Sequence, residues 1–351
     1  MVINKLLLAV IVVSFLSCTK NKIQDPIQPP VNPPDTSFTN PLLSSGADPW
    51  VIQKDTTYYY TQTFGNRIAL FRTNKMSALT NAPSFTVWTP PGSGASGDIW
   101  APEMHYLQNK WYIYFAADTN NVNSTHRIFV LENTSADPIS GSWVLKGKVA
   151  DATNKWAIDA TELEYNGNSY LIWSGWQGNV DGEQDIFIAS LSNPWTISGS
   201  RVLISAPTYS WEKNGSPPIV NEGPEVLKSP SGKIFLTYSA SGCWTDDYAL
   251  GLLSLQPGGD PMNPANWTKS ATPVFTKKPE NGAFGPGHNA FFKSRDGNED
   301  WIIYHANSSP GQGCGNNRNP RMQKFTWNAD GTPNFGEPVK INVPIKKPSG
   351  E

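Results

Sequence analysis

A short aromatic strand preceded by a polar turn recurs five times along this chain, and that repetition restricts the fold more than any other feature. The copies are Tyr58-Tyr59-Tyr60-Thr61, Trp111-Tyr112-Ile113-Tyr114, Tyr170-Leu171-Ile172-Trp173, Ile234-Phe235-Leu236-Thr237-Tyr238 and Trp301-Ile302-Ile303-Tyr304. They follow the turns Lys54-Asp55-Thr56, Gln108-Asn109-Lys110, Asn166-Gly167-Asn168, Ser231-Gly232-Lys233 and Asp296-Gly297-Asn298, and another short apolar strand precedes each turn. The unit is strand, tight turn, aromatic strand, and no run has the apolar period of a three-turn helix. One such unit cannot bury both faces of its own sheet and must stack on neighbours. Five copies therefore predict an all-β, five-bladed β-propeller over residues 38–345. A β-sandwich with accidental similarity among its hairpins is the weaker reading, because the copies also agree in what precedes them.

The ends of the chain read differently. Lys5 is followed by the apolar run Leu6 to Leu16 and then Ser17-Cys18, which is too short to span a bilayer. Residues 1–18 resemble a bacterial lipoprotein signal in which Cys18 becomes lipidated; an ordinary cleaved signal or a buried apolar strand is the alternative. Residues 19–37 carry Pro26, Pro29, Pro30, Pro33 and Pro34 among polar residues and read as a stiff linker, and residues 346–351 as a C-terminal tail. The expectation is an exported monomer held to a bacterial outer membrane by its lipid alone, facing either the periplasm or the exterior. In that oxidising setting Cys243 and Cys314 are open to a disulfide or to two buried thiols. The formal net charge of −2 lacks the clustered basic excess that nucleic acid requires. Aromatics at 12 % against 16 % charged residues exclude a disordered chain or a coiled coil.

The turns before the first strands carry the chemistry. Aligned on those strands, the residue four places before an inward apolar position is Asp48 (before Ile52), Asp159 (Leu163), Glu222 (Val226) and His288 (Phe292), with Trp100-Ala101-Pro102-Glu103 in the second unit. First strands line the channel of a propeller, so equivalent positions form a ring at its mouth. An acid in a Gly/Pro turn is ordinarily a cap, but capping has no reason to select acids at one repeat offset in three blades. Two carboxyls facing one cleft are the minimum for cleaving a glycosidic bond, one donating a proton and one activating water or attacking. A third acid nearby raises the donor's pKa by like-charge repulsion.

The segments Ala47-Asp48-Pro49-Trp50-Val51, Trp100-Ala101-Pro102-Glu103, Ile158-Asp159-Ala160-Thr161, Glu222-Gly223-Pro224-Glu225 and Gly285-Pro286-Gly287-His288 resemble glycoside hydrolase family 43, in the family's order. That family consists of five-bladed propellers acting on arabinose- and xylose-containing polysaccharides with inversion. The resemblance implies Asp48 as general base, Glu222 as general acid and Asp159 as the acid that tunes and orients the donor. It also implies a carboxyl separation of roughly 6.5 to 9.5 Å between base and acid. His288 matches a channel histidine that helps hold calcium through water, although a hydrogen-bonded structural histidine fits the residue equally; no cofactor is otherwise required. Arg321 resembles the arginine that binds the sugar in the catalytic subsite, or else is a salt-bridge partner at the domain's end.

Trp111, Trp173 and Trp301 lie in or beside repeat strands and are expected between blades. Trp50 and Trp100 adjoin the site turns and are the first stacking candidates for a sugar, followed by Trp176 and Trp244 in polar loops. Glu183 and Asp185 are expected to face solvent, and His105 and His126 to be structural, without a second metal ligand near either. The function read from this pattern is an exo-acting α-L-arabinofuranosidase whose partner is a plant polysaccharide or oligosaccharide. The insert Tyr209 to Asn221 favours a walled pocket. A β-xylosidase or a galactan- or galactofuranoside-active member is the alternative within the class, and a non-catalytic carbohydrate-binding propeller lipoprotein the alternative outside it.

Overall fold

A computed structural model describes residues 36–92 and 94–351. The expected signal, with Cys18, and the linker up to residue 35 lie outside the described residues. Five four-stranded antiparallel blades form the domain. Blade I comprises Trp50–Lys54, Thr57–Thr61, Ile68–Thr73 and Ser84–Trp88. Blade II comprises Gly97–Leu107, Lys110–Thr119, Val122–Asn133 and Val144–Val149. Blade III comprises Ala157–Tyr165, Asn168–Gly175, Glu183–Asn193 and Thr196–Ser205. Blade IV comprises Ile219–Lys228, Ile234–Ala240, Ala249–Leu255 and Trp267–Lys269. Blade V comprises Phe284–Lys293, Asp300–Asn307, Asn319–Trp327 and Pro333–Asn334. The recurring aromatic segment is the second strand of every blade. Helical structure among the described residues is limited to short 3-10 turns, and no helix there is long and apolar enough to cross a membrane.

The core lies between blades, as a stack of twisted sheets requires. One apolar cluster joins blades V, I and II through Tyr58, Trp111, Phe292 and Trp301. Others join II to III through Tyr114 and Trp173, III to IV through Ile188 and Leu236, and IV to V through Phe235 and Tyr304. Trp111, Trp173 and Trp301 are all buried, Trp111 in edge contact with Tyr59 at 5.5 Å between centroids. Blades III and IV are further tied by a short parallel pairing of Glu183 and Gln184 with Ile219 and Val220.

The ring closes between blades V and I through backbone. Leu42 N–H donates to Pro320 O and Gly46 N–H to Arg318 O, both at 2.8 Å. Beside them Asn40, fully buried, completes a bridge: its Nδ2 donates to Met322 O, its Oδ1 accepts Met322 N–H, and its carbonyl accepts Asn342 N–H. The last residues, expected as a tail, are bound to the domain. Ser37–Phe38 pairs with Ile345–Lys346, Ser349 N–H donates to Glu299, and the Glu351 carboxylate accepts the N–H groups of Met76 and Ser77 at 2.7 and 3.2 Å.

Asn40→Ala removes both partners of the buried Met322 backbone, so it is expected to cost about 2 to 4 kcal/mol of stability. Urea unfolding followed by tryptophan fluorescence measures this, and a loss below about 1 kcal/mol would mean that the closure does not rest on Asn40.

Candidate active site

The first strands of blades II to V break their ladders near the channel mouth, while that of blade I pairs without a break. In blades II to V the register shifts between Trp100 and Glu103, Ile158 and Thr161, Glu222 and Glu225, and Gly287 and Ala290. Inside each break sits a residue with positive φ: Ala101 at 41°, Asp159 at 54°, Gly223 at 52° and His288 at 46°. Asp48, just before the first strand of blade I, has φ 54°. Such a bulge re-aims a side chain and frees a backbone N–H from the ladder. Here neighbouring blades take up the freed groups. Asp48 N–H donates to His305 Nδ1 at 3.1 Å, Ala101 N–H to Thr63 Oγ1 at 2.8 Å, Gly223 N–H to Asp159 Oδ2 at 3.1 Å and His288 N–H to Ser239 Oγ at 2.8 Å.

This geometry corrects the repeat alignment of blade IV by one residue. The bulge residue there is Gly223, so Glu222 is equivalent to Trp100, Ile158 and Gly287, while Asp48, Asp159 and His288 share the bulge position. Asp48, Asp159, Glu222 and His288 nevertheless line one cavity of about 400 Å³, together with Thr63, Trp100, Trp156, Ile158, Pro218, Trp244 and Arg318. The Tyr209–Asn221 insert contributes Pro218 to the wall. Behind it the buried Glu212 accepts from Lys269, Asn221, Tyr238 and the Thr208 and Tyr209 N–H groups.

Asp48 and Asp159 are buried, Glu222 is partly so, and the three differ in neighbours. Burial pushes the Asp48 carboxyl up, but the Arg318 guanidinium at 3.0 Å, then His288 and the Thr63 hydroxyl at 2.7 Å, outweigh it and hold it well below the usual carboxylate range. Glu222 is pushed up to about 7 by burial and by the Asp48 charge, against the opposing Tyr248 O–H bond to Oε1 at 2.8 Å. Asp159 is lifted well above its ordinary value by burial and by the charges of Glu222 and Asp48, against the Gly223 N–H bond. Of these three, one is therefore ionised and two are protonated below about pH 7, and Asp181 is a fourth acid on the cavity lining. His305 stays neutral because burial pushes it far down, and its Nδ1 is the acceptor for Asp48 N–H.

Several sequence expectations fail here. Arg321 is wholly buried, its guanidinium spent on Asn319 Oδ1, Gly282 O and Ser308 Oγ, and the arginine at the cavity is Arg318. Trp50 is also buried, its indole N–H on Met104 O and its ring 5.0 Å from that of His105, so it cannot meet a sugar. Trp176 stands behind Trp156, stacked at 4.8 Å and 9°, and Trp156 is the ring on the wall. Trp100 and Trp244 do line the cavity, Trp244 at 42 % exposure. Asp185 does not face solvent: it is fully buried, accepts from Gln177 at 2.7 Å, and is raised to about 7 by burial and by Glu183. His105 is buried and neutral, its pKa pushed down to about 3 by burial. His126 is not alone, since Asp98 and Asp118 come together with it. Cys243 and Cys314 form a disulfide on the cavity wall, joining the loop of Trp244 to the loop of Arg318.

Sequence reasoning missed Arg318, Trp156, Tyr248, Thr63 and His305. Arg318 had one available signal, its place four residues after Cys314. Thr63 and His305 do share a repeat offset, each lying four residues after the partner of the inward apolar position, whereas Trp156 and Tyr248 sit at none.

The model of Glycosyl hydrolases family 43 matches residues 38–333. An extracellular exo-α-(1→5)-L-arabinofuranosidase of Streptomyces avermitilis is 45 % identical over 88 % of this chain and 65 % of that protein. α-L-Arabinofuranosidase 43 of Humicola insolens is 41 % identical over 87 % of this chain and 64 % of its own length. The chain thus spans somewhat less than two thirds of either relative. The crystal structure of an α-L-arabinofuranosidase from Lactobacillus brevis superposes with a TM-score of 0.80 at 38 % identity, covering 87 % of this chain and 98 % of that one. With five blades, Asp48, Asp159 and Glu222 at one cavity and a family match over nearly the whole propeller, the chain belongs to glycosyl hydrolase family 43.

Proposed function

We propose that this protein is an exo-acting α-L-arabinofuranosidase that hydrolyses with inversion. The observation that carries the reading is the split in ionisation around one cavity, Asp48 charged and Glu222 protonated, which is the condition for a base and an acid to act at the same pH. The names of the relatives at 45 % and 41 % identity support arabinofuranose as the sugar. Asp48 accepts a proton from the attacking water, and Thr63 and Arg318 orient its two oxygens. Glu222, steadied by Tyr248, donates to the leaving oxygen. Burial and the Asp48 charge keep the donor protonated, and Asp159 orients it by accepting the N–H of the adjoining Gly223. Trp100, Trp156 and Trp244 supply apolar faces for the ring and its neighbour.

Metal is not required for these steps. With Nδ1 turned to Asp48 at 3.3 Å, His288 keeps Nε2 as its free lone pair, and we assign to it calcium held through water in the channel. Such an ion would supply positive charge favouring ionised Asp48. Export is supported by the apolar run ending at Cys18 and by the extracellular relative, and a lipid anchor at Cys18 with a monomeric propeller completes the proposal.

Three outcomes test this reading. On p-nitrophenyl α-L-arabinofuranoside and α-1,5-linked arabino-oligosaccharides, kcat/KM should be level through mildly acidic pH. It should then fall above pH about 7, as Glu222 loses its proton, and fall on the acid side only well below pH 4, where Asp48 gains one. Glu222→Gln should lower turnover of the oligosaccharide about 1,000-fold and of the aryl glycoside less, because nitrophenolate leaves without a proton. Equal losses would remove Glu222 as the acid, and no hydrolysis by the wild type would leave a sugar-binding propeller.

Arg318→Met should move both limbs of the profile upward, since Arg318 lowers the pKa of Asp48 and of Glu222 alike. A kcat/KM loss of about 100-fold should accompany it. A profile that keeps its wild-type limbs would show that Arg318 does not set the charge of the site.

A further inference from the structure

Outside the catalytic acids, blade II gathers a second set of ligating side chains. One atom each of Asp98, Asp118 and His126 lies within 4.8 Å of the other two. Donors 2.0 to 2.6 Å from a common ion stand about 3 to 5 Å apart, so this spacing admits one cation at ligating distance from all three. Both aspartates occupy ladder irregularities. Asp98 lies in the bulge between Gly97 and Trp100 with φ 41°, and Asp118 lies between Ala117 and Thr119, where the pairing to the third strand shifts. Two breaks in neighbouring strands thus turn two carboxylates to one point.

Two independent observations show that the point is unfinished. Asp118 is completely buried; its Oδ1 accepts Asn121 N–H at 3.2 Å, while its Oδ2 has no partner among the described residues. A buried carboxylate oxygen without a partner is costly and calls for a donor or a cation. His126, also completely buried, has Nδ1 3.0 Å from Asn123 O and Nε2 3.2 Å from Asp98 O. A neutral ring can donate to only one of these carbonyls. With Nδ1–H on Asn123 O, the Nε2 lone pair faces an oxygen lone pair, and the clash is relieved by a proton or a metal ion.

We propose that Asp98, Asp118 and His126 bind a divalent cation of the zinc type that braces the blade II wall of the cavity. One imidazole with two carboxylates suits zinc, whereas calcium takes six to eight oxygen donors and thiolate metals find no sulfur here. The brace acts through short contacts. The Trp100 ring stacks on His126 at 3.9 Å and 24°, and Asn123 O accepts the indole N–H of Trp156 at 2.9 Å as well as the His126 ring. A cation at this point fixes the orientation of Trp100 and Trp156, two of the three tryptophans on the cavity wall.

The full chain, purified without added metal and then treated with a chelator, is titrated with Zn²⁺ by calorimetry and checked by elemental analysis. Parallel thermal melts are run in Zn²⁺ and in Ca²⁺. One equivalent of Zn²⁺ is expected, with the melting temperature about 5 °C higher at one hundred times Kd. Asp118→Asn, nearly isosteric, should abolish that equivalent, and His288→Gln should retain it, which separates this site from the channel. If Asp118→Asn fails to fold, Asp98→Asn at a less buried position should weaken Zn²⁺ binding at least tenfold. Zinc binding unchanged in both aspartate variants, zinc binding lost only in His288→Gln, or stabilisation by Ca²⁺ alone would each overturn the proposal and leave His126 as an imidazolium paired with two aspartates.

Discussion

A residue of positive φ, in the first-strand bulge of blades II to V and just before the first strand of blade I, is the constraint on which the site depends. A regular first strand would send alternate side chains between blades and leave nothing aimed at the axis. By taking a residue to positive φ, the strand turns a side chain toward the channel mouth and exposes one N–H that must find an acceptor. Those acceptors are supplied by neighbours around the ring: His305 for Asp48, Thr63 for Ala101, Asp159 for Gly223, Ser239 for His288. Each catalytic group is consequently held by the blade beside it as well as by its own. Aspartate tolerates the left-handed conformation better than most residues, so Asp48 and Asp159 satisfy the backbone and the chemistry together. Ala101 has no such excuse, and its N–H is the group that holds Thr63 against Asp48.

Charge in the cavity is decided by placement of a single guanidinium. Asp48 and Asp159 are buried and Glu222 is partly so, and loss of water alone would favour the protonated form of all three. Arg318 bonds Asp48 at 3.0 Å and reaches Glu222 and Asp159 only through the field, so one carboxyl ionises and its charge then pushes the other two up. Deeper in the channel Glu103 and Glu225 lack such a partner, and burial lifts both well above the ordinary range. The same residue type carries charge in one place and a proton a few ångströms away because one loop of blade V bends to bring Arg318 across.

What could be read from the sequence was whatever repeats. The aromatic second strands bury between blades in every copy, so composition and period marked them; Asp48, Asp159 and His288 share an offset, so alignment found them. Glu222 was found through its motif although it sits one position off the bulge, because glycine takes over the positive φ and leaves the preceding residue free to be the acid. Arg318 and Arg321 are three residues apart, the first in the loop before the third strand of blade V and the second in that strand, and neither stands at a repeated offset. Only tertiary contacts distinguish the one that meets Asp48 from the one sealed against Gly282 and Ser308. Trp50 misled for a similar reason: adjacency along the chain places it beside the site turn, but the strand's alternation sends its ring inward against His105.

The walls of the cavity are built on different principles from its floor. Asp159 and Glu222 stand on strands of a packed ring and Asp48 just before one, whereas Trp156, Trp244 and Arg318 stand outside the strands and Trp100 between two breaks of its own. Each of these segments has its own tether. The disulfide between Cys243 and Cys314 ties the Trp244 loop of blade IV to the Arg318 loop of blade V. The Glu212 carboxylate gathers five donors and pins the insert that brings in Pro218. In blade II the Asp98, Asp118 and His126 cluster underlies Trp100 and, through Asn123, Trp156. A family built on one ring can therefore keep its acids and change its sugar by altering tethers, since a wall moved by an ångström changes which ring fits while the proton transfers below it stay in place.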